Sequence, residues 1–417
     1  MYDAIVVGAR CAGSPTAMLL ARKGYRVLLV DKATFPSDTI STHFIRLPGV
    51  ARLKHWGVLD KIIASNCPPI PKFTIDLGPF ALVGTPPPVE DVTMFYAPRR
   101  TVLDKILVDA AVTAGAELRE GFFVEEILRD GDRVTGIQGR GPGGRSVKEQ
   151  ARIVIGADGM RSLVARSVQA PTYQAKPALT CAYYGYWSGV PLAGAKIYMR
   201  PHRMFITFPT NEKLACICVV WPHSEFHAFR ADIARNFLQT LDLAPQFAER
   251  VRQGKQEGRF MGTADVPNFF RKPYGSGWAL VGDAGYHKDP YAGQGIMDAF
   301  RDVELVVEAI DAGLSGRRSL EEALANYERQ RNDIALPLYE YDTQRASMEA
   351  PPPEMQQLFA ALRGNQEQTN RFFGLPEGTT SFSEFFSPEN IQRIKAAATV
   401  EAASTKPVDQ GSNTSPA

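Results

Sequence analysis

Glycines and aspartates stand together at three places in this chain, and the first and last of them have the chemistry to hold phosphate and sugar. Gly8-Ala9-Arg10-Cys11-Ala12-Gly13 opens the sequence and Gly156-Ala157-Asp158-Gly159 lies near its middle. Gly282-Asp283 comes late, followed by Pro290 and by Gly293-Gln294-Gly295-Ile296. Free N–H groups at a helix N-terminus, with the positive end of its dipole, favour a pyrophosphate, and a carboxylate at a strand end accepts from sugar hydroxyls. Asp31, followed by Lys32, is such a carboxylate. Its charge repels a 2′-phosphate, so the first turn favours FAD or NAD over NADP.

These residues need elements to hold them. Ala4-Ile5-Val6-Val7 reads as a buried parallel strand, Pro15 to Ala21 as the helix leaving it, and Val27 to Val30 as a second strand ending at Asp31. Arg10 stands where a third glycine is usual, and its guanidinium is expected to turn toward phosphate or solvent, giving a shifted site. Gly8, Arg10, Cys11, Ala12, Gly13, Asp31 and Lys32 are therefore candidate cofactor contacts. Trp278 to Val281 reads as another buried strand, and a helix is expected from Gly295 to about Ile310. Asp283 at that strand end suits the ribityl hydroxyls of a flavin. A second helix N-terminus suits the pyrimidine edge, where reduction places negative charge worth roughly 0.3–1 kcal/mol to the dipole, up to about 2 when partly buried. FAD is thus the expected cofactor, with Pro290, Gly293, Gly295 and Ile296 beside it.

The three ordered motifs resemble those of the p-hydroxybenzoate hydroxylase superfamily of FAD enzymes, which also holds geranylgeranyl reductases and flavin halogenases. The resemblance runs over roughly residues 1–345. It implies an α/β fold: a Rossmann-like, glutathione-reductase-like FAD-binding domain, an inserted α+β substrate domain and a helical C-terminus. It also makes Asp158-Gly159 a motif implicated in both FAD and pyridine-nucleotide binding. Pro98-Arg99-Arg100-Thr101-Val102-Leu103-Asp104 resembles the family's Arg-x-x-Leu-Asp helix start, which makes Arg100 a candidate FAD contact. Val124 resembles the backbone position that meets adenine.

The branch within the superfamily is read from two segments. Tyr286-His287-Lys288-Asp289-Pro290 replaces the Ala-His-x-x-x-Pro usual in hydroxylases. Phe205-Ile206-Thr207-Phe208-Pro209 lacks the tryptophans of the halogenase Trp-x-Trp-x-Ile-Pro. Against the reductase pattern aromatic-x-Trp-x-Phe-Pro, Phe205 and Phe208-Pro209 fit and Thr207 stands in the tryptophan's place. The expectation is an FAD-dependent monooxygenase using O2, with an FAD-dependent reductase or dehydrogenase as the alternative and a flavin-binding scaffold without turnover third. One dinucleotide turn leaves NADH or NADPH to bind transiently near the flavin. Thr207, Phe205 and Tyr184 are candidate lining for an aromatic or other hydrophobic small molecule. His43 and His287 are candidates to orient or deprotonate a substrate hydroxyl, since imidazole titrates near neutral pH.

Composition agrees with a two-lobed enzyme, because 417 residues exceed what one core usually holds. Net charge is +2 without a dense basic block, which argues against nucleic acid. His223 and His227 lack an evident third partner, so no metal is expected. Five cysteines form no even framework, no basic-plus-apolar leader precedes the first strand, and no apolar run approaches the roughly 18 residues a membrane span needs. A cytoplasmic monomer or homodimer is expected. The FAD-binding domain is expected in pieces, at 1–75, 97–175 and 270–345, with the substrate domain at 76–96 and 176–269. C-terminal helices follow at 346–398 and a disordered tail at 399–417. A hairpin is expected from Val124 to Ile137, turning at Asp130-Gly131-Asp132.

Overall fold

Strands buried on both faces must be apolar along their whole length, and the chain opens with one. A computed structural model describes the backbone of residues 1–404 and the side chains of residues 1–398. Strand β1 (Tyr2–Val7), helix α1 (Gly13–Arg22) and β2 (Val27–Val30) form the first strand-helix-strand unit, its strands parallel. Helices α2 (Leu47–His55) and α3 (Leu59–Ala64) and strands β3 (Phe73–Asp76) and β4 (Ala81–Gly84) follow. Then come α4 (Arg100–Thr113), β5 (Glu117–Arg119), β6 (Phe123–Asp130), β7 (Arg133–Arg140), β8 (Ser146–Gly156) and α5 (Leu163–Ser167). The β6–β7 hairpin turns at Gly131, as its Asp-Gly pair predicts.

A block of strands comes next: β9 (Thr172–Lys176), β10 (Thr180–Ser188), β11 (Ala195–Arg200), β12 (Arg203–Thr210) and β13 (Leu214–Pro222). Helices α6 (Phe226–Ala231), α7 (Ile233–Leu241) and α8 (Pro245–Gln253) lead to β14 (Lys255–Thr263) and β15 (Asn268–Arg271). The return to the first sheet runs through β16 (Tyr274–Gly275) and β17 (Trp278–Leu280), and β18 (Tyr286–His287) follows. Six helices finish the described chain: α9 (Gly295–Leu314), α10 (Leu320–Arg345), α11 (Pro353–Leu362), α12 (Gln366–Gly374), α13 (Phe382–Phe385) and α14 (Pro388–Ser404).

The first sheet has the order β16-β17-β8-β1-β2-β5, with β6 and β7 joined to β8. β2, β8, β5 and β17 pair in parallel, so the C-terminal ends of β1, β2, β8 and β17 share one edge. The three motifs leave from that edge, the crevice where open α/β sheets bind ligands. The second sheet has the order β14-β10-β13-β12-β11-β3-β4, and β18-β15-β9 makes a small third one.

One face of the second sheet shares a core with α1, α2 and α9: Tyr184, Tyr186, Phe208 and Cys216 pack with Phe44, Phe95 and Phe300. The opposite face carries Tyr183, Trp187, Phe205 and Ile217 against Phe229, Phe237 and Phe247 of α6 to α8. Two boundaries differ from expectation. The division at 75 falls inside β3, which pairs with β11 of the second sheet. The expected tail at 399–417 lies largely outside the described residues, but α14 continues through Ser404, so its first residues are helical. Among the described residues no helix is long and apolar enough to cross a membrane.

Candidate cofactor and substrate site

The first turn closes on its glycines. A Cβ at Gly13 would stand 1.7 Å from the Gly8 carbonyl oxygen, and one at Gly8 (φ +103°) would stand 2.5 Å from that of Ala157. Only backbone fits, and the contact joins the first motif to the second. Helix α1 has no side-chain cap and no acidic residue in its first turn; Ser14 N donates to the Arg10 carbonyl oxygen at 3.0 Å and Pro15 carries no N–H, which leaves the Gly13 end of the helix to an anion. Asp31 is buried at the end of β2, where Oδ2 accepts from Ala9 N and Oδ1 from Ala33 N, both at 2.7 Å. It braces the turn, and each oxygen keeps a lone pair for a ribose hydroxyl. Lys32 is exposed, and Val124 is half-buried on β6 opposite Gly139.

Arg10 corrects the expectation placed on it. Its guanidinium turns to α4 rather than to a phosphate or solvent, with Nη1 2.5 Å from Asp104 Oδ2 and Nη2 2.9 Å from Ser37 Oγ. Arg100 donates to the same carboxylate, Nε at 3.0 Å and Nη2 at 3.1 Å. Cys11 Sγ lies 3.6 Å from Asp104 Oδ1, and burial pushes its thiol up to about 12. Asp104 thus organises the ground beside the turn. Sequence reasoning quoted it without assigning it a role, although its i,i+4 spacing from Arg100 was the available signal.

The late motif meets the first. A Cβ at Gly282 would stand 2.8 Å from Ala12 Cβ, which sets Asp283 beside the α1 N-terminus. Asp283 is exposed and caps no helix, and its charge acts on Arg100. Pro290 opens a short turn that Asp289 caps by accepting from Tyr291 N at 3.0 Å. Gly293 takes the left-handed conformation (φ +63°), and Gly295 opens α9 with nothing within 4 Å of where a Cβ would stand. Helix α9 also lacks a side-chain cap, and Ile296 is buried behind it. Asp158 Oδ2 accepts from Leu163 N (2.6 Å) and Val164 N (3.3 Å) at the start of α5. Its Oδ1 is buried without a partner.

The substrate-side candidates divide between two faces. Tyr184 lies on the face toward α1 and α9, but Phe205 stacks on Tyr198 and Phe247 beneath the helices on the other side. Thr207, two residues on, shares the Phe205 side by strand alternation and leaves its Oγ1 buried without a partner. Ile206 and Phe208 are the β12 residues packed into the core shared with the first sheet. Counting back from Phe208-Pro209, the tryptophan positions of the reductase and halogenase patterns fall on Ile206 and Met204, not on Thr207.

His43 is fully buried, with its Nε2 2.8 Å from Tyr186 Oη and its Nδ1 without a well-formed hydrogen bond. Burial holds its pKa down to about 3, so the ring is neutral. Tyr184 meets it edge-on at 5.1 Å. His287 is placed differently: it lies on β18, its Nδ1 2.5 Å from the Pro267 carbonyl oxygen, and it stacks on Phe269.

Two uncapped helix N-termini, a free carboxylate between them, and open space before Gly295 fit a dinucleotide bearing a second anionic end, which is a flavin dinucleotide. Fold and site together define an FAD-dependent oxidoreductase. A family described as an FAD binding domain matches residues 1–340, and the chain belongs to it, within the p-hydroxybenzoate hydroxylase-like superfamily. Over 360 residues the chain is 29% identical to the digeranylgeranylglycerophospholipid reductase of Methanosarcina mazei, covering 80% of this chain and 81% of that one. A myxobacterial chondrochloren halogenase superposes with a TM-score of 0.76 at 22% identity, covering 96% of this chain and 97% of its own. A probable FAD-dependent monooxygenase from Pseudomonas aeruginosa gives 0.71 at 20%, covering 83% and 96%. Those two likenesses concern the fold.

Proposed function

We propose that this protein is a monooxygenase that takes electrons from NADH or NADPH and places one oxygen atom of O2 on an aromatic or other hydrophobic small molecule. In this reading the adenosine lies by Asp31 and Val124 and the pyrophosphate at the α1 N-terminus. Asp283 takes the ribityl chain, and the isoalloxazine faces Gly293 to Ile296, with Arg100 nearby. FAD supplies the electron transfer and the oxygen chemistry. The chain supplies position, dryness and a place for a proton.

The observation that carries the reading is the polar pair inside an otherwise aromatic wall. Tyr184, Tyr186 and Phe208 surround His43, whose buried Nδ1 makes no well-formed hydrogen bond and has the Ser41 backbone beside it. A buried polar atom left so costs about 1–3 kcal/mol unless a ligand group meets it. A hydroxyl both donates and accepts, so it satisfies Nδ1 in either tautomer of the ring. A plain hydrocarbon does not.

The reductase reading also has an observation in its favour, the likeness to the Methanosarcina enzyme over four-fifths of both chains. Against it stand Met204 and Ile206 where its strand pattern has an aromatic residue and a tryptophan. One experiment separates the two: turnover with NADH or NADPH under 18O2, offering hydroxylated aromatics and a polyprenyl lipid side by side. The monooxygenase reading expects a product carrying one 18O atom. A product gaining two hydrogens and no label favours the reductase and sinks the proposal.

A further inference from the structure

Behind the first turn of α9 lies buried charge that the cofactor contacts leave unused. Lys288 Nζ stands 2.9 Å from Asp342 Oδ2 on α10 and 3.0 Å from Asp298 Oδ2 on α9, and it also donates to Gln294 Oε1. The Lys288 side chain is 6% exposed and each carboxylate 5%. Arg301 completes the group, donating to Asp298 Oδ1 at 2.9 Å, Asp302 Oδ1 at 2.8 Å and Tyr286 Oη at 2.8 Å. Burial opposes the lysine's charge, but Asp298 and Asp342 outweigh it and hold the ammonium protonated. Buried ion groups contribute little net stability, because desolvation offsets attraction. Their position therefore needs another reason.

Gln294 gives one. It is the N-cap residue of α9, yet its side chain makes no cap. An amide has a single acceptor atom, Oε1, and its contact with Lys288 Nζ anchors it where it makes no cap. Released, that oxygen would be free to accept from the first N–H groups of α9 and close them off.

We propose that Lys288 is a positioning residue: it holds the Gln294 amide away from the α9 N-terminus, so that those N–H groups remain free for the negative charge that reduction brings to the pyrimidine edge of FAD. The inference rests on assigning the Gly293–Ile296 turn to that edge.

The test is the reduction potential of the FAD-loaded protein, with FAD affinity of the apoprotein alongside. Lys288→Met is combined with Asp342→Asn, so that the remaining Asp298 keeps Arg301 as its partner. The reduced-to-oxidised ratio at a fixed poise is expected to fall about tenfold, which is about 30 mV for a two-electron couple. Adding Gln294→Ala is expected to recover most of that fall, and Lys288→Arg to keep the parent value. An unchanged potential, or a fall that Gln294→Ala does not recover, overturns the inference. Gln294→Ala alone tests it from the other side should the double variant not fold: the ratio is expected within about twofold of the parent, and a tenfold fall overturns the inference. Failure of the underlying assignment looks different. It shows as an unperturbed flavin spectrum in Gly295→Leu, a variant that leaves Lys288 untouched.

Discussion

Asp31 gives each of its oxygens to a backbone N–H, so its loss touches both the turn and the proposed ribose contact. Asp31→Ala is expected to destabilise the apoprotein in urea by about 1–3 kcal/mol for each N–H left unpaired, and to weaken FAD binding as well. Weaker FAD binding with unchanged stability would contradict the bracing role. His43 carries a second prediction. Its folded pKa is about 3, against about 6.5 for a free imidazole. The unfolded chain takes up a proton below pH 6.5 that the folded chain refuses, so this contribution is intact above pH 6.5 and is lost as pH falls toward 3. The loss is about 1.4 kcal/mol per pH unit. His43→Asn, which tolerates the left-handed backbone at φ +61°, should remove that slope from the pH dependence of unfolding. A slope unchanged in the variant would contradict the neutral, buried histidine. At this scale the turn glycines Gly8, Gly13 and Gly293 were legible because tight turns and close backbone approach demand them. The partners of Arg10 were not: Asp104 lies 94 residues away, and no spacing rule links them.

Elements were legible where one environment covers them throughout. β1, β2 and β17 are apolar along their length because both faces are buried, and they were read close to their observed ends. The face of β12 was not legible. Aromatic residues lie on both of its sides, Phe205 under the helices and Phe208 toward the first sheet, which erases the alternation that assigns a strand's two faces. The consequence is testable. Phe205→Ala should cost about 3–5 kcal/mol of stability, as a large core truncation does, while leaving FAD affinity at the parent value. A change in FAD or substrate affinity with little loss of stability would return Phe205 to the pocket.

Across the whole molecule, the segment beyond the matched family region reaches back to the proposed cofactor turn. Arg46 Nη1 lies 2.5 Å from Glu377 Oε1, and its Nη2 donates to the Ala292 carbonyl at 2.8 Å, one residue before Gly293. Glu377 also accepts from Leu47 N at the start of α2 (3.0 Å), and Phe373 of α12 packs against Phe73 of β3. Glu377→Ala would leave Arg46 buried without its charged partner, and a loss of about 3–5 kcal/mol is expected in denaturant titration. Sequence alone placed helices in this region but not their attachment, since Glu377 stands 331 residues from the arginine it holds.

The central claim is that the early and late motifs form one FAD site, with Asp283 as its free carboxylate. Titration of apoprotein with FAD, parent against Asp283→Ala, tests it most directly. Loss of a charge-assisted hydrogen bond predicts a roughly ten- to hundredfold weaker Kd, with the apoprotein's unfolding free energy unchanged. Parent-like FAD affinity in Asp283→Ala would contradict the site.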